Sequence, residues 1–504
     1  MAEKKEDLIK IVGTENVIDE PSVLDNYSKD QSFIPQMMPM MVVKPMNADE
    51  VQEIVKWANQ TSTPLVPVSS GSPHFRGDTV PSSEGAVSVD LGRMNRIIMM
   101  DRRNRVVIIE PGVTFSQLQP ELAKQGLRLS MPLMPRASKS VLGSLLEREP
   151  IMNPRYAWSL NEPLRCIETV MGNGEMFRTG ELAGGGVSTS TREEAKLIPI
   201  EELMENRKKT QETALYQYGP GQFNFHKLVS AAQGTMGIVT WASLRCEVLP
   251  KAQKFFLVSS DGPDNLIAFA YKLLRIRFHD ELMLFNSSSL ASILGEGTEQ
   301  ITSIEKELPP WTLVLGLTGR DILAEERVEF LEKDISDIAQ QANLHLESSI
   351  SGVTGEQVSE LVLNPSKEPY WKLSRKGGCQ DIFFLTTLNK ASEFVKTMTD
   401  LAEASNYSLS RLGVYIQPTH LGTSCHVEFS LSYDPSDEKE LGKVQELFTK
   451  ASEELSKQGA FYTRPYGIWA DMAYSRNAEH TSLTKQLKGI FDPNCVLNPG
   501  KLCF

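Results

Sequence analysis

Apolar positions early in the chain alternate between helical and strand spacing. Asn47-Ala48-Asp49-Glu50 has capping-box spacing, and Val51, Ile54, Val55 and Ala58 follow at helical intervals, predicting a helix to about Asn59. Thr63-Pro64 returns the chain to a short apolar strand, Leu65–Val68. Further strands are predicted at 86–91 and 106–110. Thr114-x-x-Gln117 caps a second helix with Leu118 and Leu122 on its apolar face, ended by Gly126. A short helical lead-in is predicted within 5–30. The stretch 131–163 is Pro- and Met-rich and poorly periodic, and 181–222, with Gly184-Gly185-Gly186, reads as a surface excursion.

From about residue 250 the pattern changes. Strands are predicted at 255–258, 282–285, 311–317, 382–388, 412–417 and 425–433, and helices at 265–278, 322–343, 391–404 and 438–457. In 425–433 alternation puts His426, Glu428 and Ser430 on one face and Val427, Phe429 and Leu431 on the other. No internal repeat or low-complexity tract interrupts the order.

Composition narrows the classes. A chain of 504 residues, 40% apolar and 23% charged, buries a large core and divides into two or more domains. A net charge of −12 argues against a nucleic-acid-binding face. No apolar run reaches the ~18 residues a membrane span needs. The charged start, Met-Ala-Glu-Lys-Lys-Glu-Asp, lacks a signal core, so a cytoplasmic protein is expected. The six cysteines show no C-x-x-C spacing, which disfavours zinc and iron–sulfur sites, and no disulfides are expected.

The strand Leu65–Val68 runs into Ser69-Ser70-Gly71-Ser72-Pro73-His74-Phe75-Arg76-Gly77-Asp78. Small residues there let backbone N–H groups approach a phosphate, although neither the G-x-G-x-x-G nor the Walker spacing is present. Downstream stand Val89-Asp90-Leu91 with Met94-Asn95, Glu110-Pro111-Gly112-Val113-Thr114, Ser140-Val141-Leu142-Gly143-Ser144, Gly172-Asn173-Gly174, Gly234-Thr235-Met236-Gly237-Ile238-Val239-Thr240, Asp492-Pro493-Asn494 and Asn498-Pro499-Gly500-Lys501. This ordered set resembles the vanillyl-alcohol oxidase and p-cresol methylhydroxylase family of FAD-binding flavoproteins.

The resemblance implies an α+β fold: an FAD-binding domain over 1–250, a cap domain with an antiparallel sheet over 251–460, and a C-terminal segment, 461–504, returning to the first domain. It assigns the FAD cradle to Ser70, Gly71, Ser72, Pro73, His74, Gly77 and Asp78. It adds Pro132, Ser138, Val141, Gly143, Ser144, Gly237, Ile238, Val239 and Lys501 as further contacts. In relatives that link FAD through this loop, the linking histidine falls at Pro73 here, so noncovalent FAD is expected. The family's tyrosine–arginine pair near the C-terminal segment corresponds to Tyr462 and Arg464, separated by Thr463, and a second anchoring tyrosine falls at Arg76. Two arginines suit a carboxylate, which a guanidinium binds bidentately. No counterpart of the family's acidic residue near the flavin is found; residues 153–161 offer Arg155, Tyr156, Trp158 and Ser159 instead.

His426 and Glu428 complete the expected catalytic set as a polar roof, with His426 a candidate proton acceptor. The hydroxy-acid dehydrogenases of the superfamily hold a metal through an H-x-G-D-G-N-x-H stretch; His420 and His426 have neither that spacing nor that core, and no metal is expected. The resemblance implies hydride transfer to FAD from an aromatic alcohol or alkylphenol, with a carboxylate on the substrate as a further expectation. The alternatives are a 2-hydroxy-acid dehydrogenase and a non-catalytic flavoprotein subunit. The expected partners are a small-molecule substrate, an electron-acceptor protein and further copies of the chain.

Overall fold

The computed structural model describes residues 2–155, 162–179, 200–202, 204–205, 225–276, 278 and 280–504. Tyr156, Trp158, Ser159 and most of the excursion 181–222 lie outside them.

The helical lead-in resolves into two helices, Ala2–Val12 and Pro21–Ser28, around a two-residue strand, Val17–Ile18. That strand edges a small sheet in which Met41–Val43, Val87–Asp90 and Leu65–Val68 run parallel. Helix Ala48–Thr61 starts where the capping box predicts: the Asn47 side chain accepts from the Glu50 N–H at 2.9 Å. The returning bond from Glu50 goes to Met46 N–H at 2.7 Å, one residue earlier than in the ideal box. Around Thr114 both reciprocal bonds form, and helix Phe115–Lys124 follows.

A second sheet of this region is five-stranded and antiparallel, ordered Ile97–Asp101, Val106–Ile109, Gly237–Arg245, Leu164–Met171 and Met176–Arg178. Its central partners come from distant segments, a pairing that no local period reveals.

The cap sheet has six antiparallel strands in the order Ala252–Ser260, Trp311–Gly319, Leu282–Asn286, Leu412–Thr419, Ser424–Tyr433 and Gly378–Thr386. Strand parity decides what each face meets. Phe256, Val258, Val427 and Phe429 pack with residues of helices Pro263–Arg275, Ala324–Gln340, Ala391–Ala404 and Glu438–Gln458. Phe255, Leu257, Met283, Phe285 and Tyr415 join the core of the first domain with Phe115, Leu118 and Leu122. The cap sheet is therefore apolar on both faces over much of its area, and polar positions on it are exceptions.

The last residues return to the first domain. Leu497 bridges to Leu65 beside the opening strand, and Asn498 Nδ2 donates to the carbonyls of Asp78 (2.8 Å) and Gln233 (2.7 Å). No helix among the described residues is long and apolar enough to cross a membrane.

Candidate active site

The loop after Leu65–Val68 is held by its neighbours through backbone. Gly71 N–H donates to the Ser138 carbonyl at 2.9 Å, and Ser140 N–H to Ser70 Oγ at 3.0 Å. A Cβ on Gly71 would lie 2.9 Å from the Ser138 Cβ, so any side chain there forces the two loops apart. Gly77 has φ +73°, a left-handed conformation that suits glycine, and a Cβ there would strike Ile34. Lys501 Nζ holds the Gly77 carbonyl at 2.7 Å. The backbone N–H groups of Ser72, His74, Phe75 and Arg76 donate to no protein atom among the described residues.

These donors stand beside a hollow of about 100 Å³, lined among others by Ser70, His74, Arg76, Asp78, Tyr370 and Asp381. Long charged side chains fill the surroundings. Arg136 Nη1 donates to the carbonyls of Gly71 (2.8 Å) and Pro73. Lys139 pairs with Glu147 at 2.9 Å and with Glu149 at 3.5 Å. Burial, reinforced by Arg136 and Lys139, pulls His74 down to about 3, so its imidazole is neutral at physiological pH. Burial and Glu147 push Asp78 up to about 7.

The cap closes over this loop with the polar positions of its two last-paired strands. Register places Asp381 opposite Ser430, Phe383 opposite Glu428 and Leu385 opposite His426. Lys372, from the short turn Trp371–Leu373, puts its ammonium 2.8 Å from Asp381 and 2.5 Å from Glu428. Burial alone would raise Glu428, but Lys372 and His426 hold it well below the usual carboxylate range. His426 Nε2 lies 3.5 Å from Glu428, and burial lowers the histidine despite that neighbour.

Arg76 and Arg464 both lie over the Phe383 ring, 4.4 and 3.9 Å from its centroid. Their charges are used differently. Arg76 is paired with Asp381 at 3.2 Å. Burial opposes its charge, and Asp381 with Glu428 more than offsets that. Arg464 is only 4% exposed, yet it makes no hydrogen bond and no ion pair among the described residues. It borders a second hollow of about 60 Å³ together with His426, Ser424, Thr463 and Leu385.

The arrangement corrects the sequence reading at Tyr462. Its hydroxyl donates to the Ser452 carbonyl at 2.9 Å and its ring stacks on Trp469, so it is a packing residue of helix Glu438–Gln458. Tyr466, four residues on, packs edge-on to Phe383 within reach of the charges of Glu147, Asp78, Arg464 and Arg76. Of the expected cofactor contacts, Ser70–Asp78, Ser138 and Lys501 gather around the loop. Val141 is buried in the core, and Ser144 gives its hydroxyl to Glu149 at 2.6 Å. Pro132 bridges to Ile151, and Gly237, Ile238 and Val239 are buried in the five-stranded sheet; none of these lines the 100 Å³ hollow. His420 is exposed at the rim of the smaller hollow.

Sequence reasoning missed Tyr370, Lys372, Asp381, Phe383 and Glu149. One signal was available: in Gln380-Asp381-Ile382-Phe383-Phe384, an ionisable residue interrupts an apolar strand, a costly position unless it is paired.

Known proteins resemble this chain over most of its length. Residues 39–180 match an FAD binding domain, and residues 294–502 match the C-terminal domain of FAD linked oxidases. The chain is 23% identical to the glycolate oxidase subunit GlcD of Bacillus subtilis, covering 99% of this chain and 96% of that one. It is 22% identical to the 4-cresol dehydrogenase flavoprotein subunit of Pseudomonas putida, covering 97% and 93%. The crystal structure of p-cresol methylhydroxylase with substrate bound superposes with a TM-score of 0.80 at 19% identity, covering 100% of this chain and 96% of that chain. A 4-ethylphenol oxidase from Gulosibacter chungangensis gives 0.79 at 18% identity, covering 99% and 96%.

Proposed function

On the premise that this chain belongs to the p-cresol methylhydroxylase-type FAD-linked oxidoreductases, we propose that it oxidises a hydroxyl-bearing organic acid, held by its carboxylate on Arg464. FAD is the cofactor. The residues present fit it: unspent N–H groups at Ser72, His74, Phe75 and Arg76 suit a pyrophosphate, and Gly71 permits the close approach of the two loops. The cofactor needs more room than the 100 Å³ hollow, and the flexible side chains of Arg136 and Lys139 are the parts that must turn aside. When bound, FAD supplies the hydride-accepting chemistry.

The observation that carries this reading is Arg464: a buried guanidinium with no acceptor of its own, beside a histidine. A buried cation is costly unless paired, so the substrate's carboxylate is the partner it lacks. Arg76, Lys372, Asp381 and Glu428 form a balanced network that fixes Phe383 and leaves Arg464 as the anion receptor. His426, kept neutral by burial, takes the hydroxyl proton at Nδ1 while Glu428 stabilises the imidazolium that results. Leu385 and Pro150 give the hollow at Arg464 its apolar walls.

Those walls favour an aromatic alcohol that carries a carboxylate. A second reading, a small 2-hydroxy acid, draws support from the 60 Å³ size of the hollow at Arg464. Anaerobic mixing of the FAD-loaded protein with both acid classes and with neutral aromatic alcohols separates the readings by bleaching of the flavin absorbance. Reduction by neutral alcohols alone sinks the role given to Arg464.

A further inference from the structure

A large cavity lies away from the cradle, between helix Phe115–Lys124 and the cap segment 360–374. It measures about 850 Å³, within the range of small-molecule sites, roughly 300–1,000 Å³. Its walls include Phe115, Leu127, Met131, Met134, Met152 and Trp371. At Ser130 and Asn153 it adjoins a second hollow of about 130 Å³, and both residues line both spaces.

That smaller hollow is cationic. Arg105, Arg155, Arg245 and Arg320 line it with one acid, Glu247. Glu247 is already shared among Arg155, Arg320 at 3.2 Å and Arg128 at 3.7 Å. Arg105 and Arg245 have no ion pair among the described residues, and neither has Arg165, whose charge also bears on Arg245. Burial and then the charges of Arg165, Arg105 and Arg155 pull Arg245 below its usual value. The fold brings these residues together through its backbone: Arg245 N–H bonds the Pro163 carbonyl, and Cys246 N–H the Arg105 carbonyl, each at 2.8 Å. Gathering like charges in a concavity costs free energy, and on a chain of net charge −12 general attraction to anions does not account for it.

We propose that the two hollows form one binding site, separate from the cofactor cradle, for an amphipathic phosphate monoester: apolar chain in the large cavity, phosphate among the arginines. Guanidinium groups match phosphate geometry, and the adjoining wall supplies the apolar surface that phosphate alone does not use.

The test is calorimetric titration of the full-length, FAD-loaded protein with decyl phosphate below its micellar concentration. Saturable one-to-one binding without release of flavin is expected, with decanol and inorganic phosphate each weaker by about tenfold or more. Arg245→Glu should weaken decyl phosphate by about tenfold or more and leave decanol unchanged. Arg105→Glu serves as the second charge reversal if the first fails to fold. Ala123→Trp, on the exposed cavity wall, should weaken decyl phosphate and decanol but not inorganic phosphate. No saturable binding, undiminished binding by both charge reversals, or release of one flavin per ligand bound would each overturn the proposal. The last outcome would put the ligand in the cradle, while flavin retention in the same titration checks the cofactor reading independently.

Discussion

Replacing Arg464 by Met should move stability and binding in opposite directions. Arg464 is 4% exposed and has no carboxylate within ion-pair distance among the described residues. Burying a charge costs several kcal/mol after relaxation, and an unpaired one recovers little of it. Its contact with Phe383, 3.9 Å from the ring centroid, returns about 0.5–2 kcal/mol. Methionine keeps much of the apolar stem, so the free protein should gain about 1–3 kcal/mol. An anionic substrate loses a charge-assisted hydrogen bond of about 1.5–3 kcal/mol, weakening binding about ten- to a hundredfold. Urea denaturation of the free protein and anaerobic titration of the flavin spectrum measure the two quantities. A destabilised variant with unchanged substrate affinity would refute the reasoning, because Arg464 would then be a structural residue.

Four further outcomes are expected. Lys372→Met leaves Asp381 with Arg76 as its one remaining cationic partner among the described residues and Glu428 with His426, and should cost about 3–5 kcal/mol in denaturant midpoint measurements. It should also move the acid loss of stability upward, since Glu428 is depressed in the folded state and contributes only above its folded pKa. Asp78 is raised to about 7 from 3.8, so the folded state holds more protons between those values and stability falls as pH rises through them; Asp78→Asn should remove that decline, read as the midpoint against pH. Gly71→Val should abolish FAD binding without unfolding the cap, measured as flavin absorbance per protein. Acid precipitation of the wild type should release its FAD into solution, since Pro73 stands at the linking position.

The sequence was most readable where signals are local. Both capped helices, the opening strand and the alternation of His426 with Val427 depend on spacings within one element, and the first two carry hydrogen bonds visible in the structure. The five-stranded sheet was less readable because Gly237–Arg245 pairs with strands far away in the chain, and nothing in its own period names them. The site divided in the same manner. Arg464 was singled out through a motif. Tyr462 was assigned with it because the order of residues does not tell a substrate-facing ring from one turned into a helix packing, whereas stacking on Trp469 decides that. Lys372 could not be found at all, since its role exists only once register brings Asp381 and Glu428 to one face.

The grip of residues 497–501 on the cofactor loop has a consequence for synthesis. Lys501 and Asn498 clasp the carbonyls of Gly77 and Asp78, and Leu497 flanks the strand that launches the loop. Asn498 leaves the ribosome 420 residues after Asp78, the residue it clasps. A nascent first domain can build its sheets early, but its cradle stays without its clasp until Asn498 and Lys501 emerge. Stable flavin retention thereby reports on the chain as far as Lys501, and a product that stops before Leu497 should leave the ribosome folded but colourless.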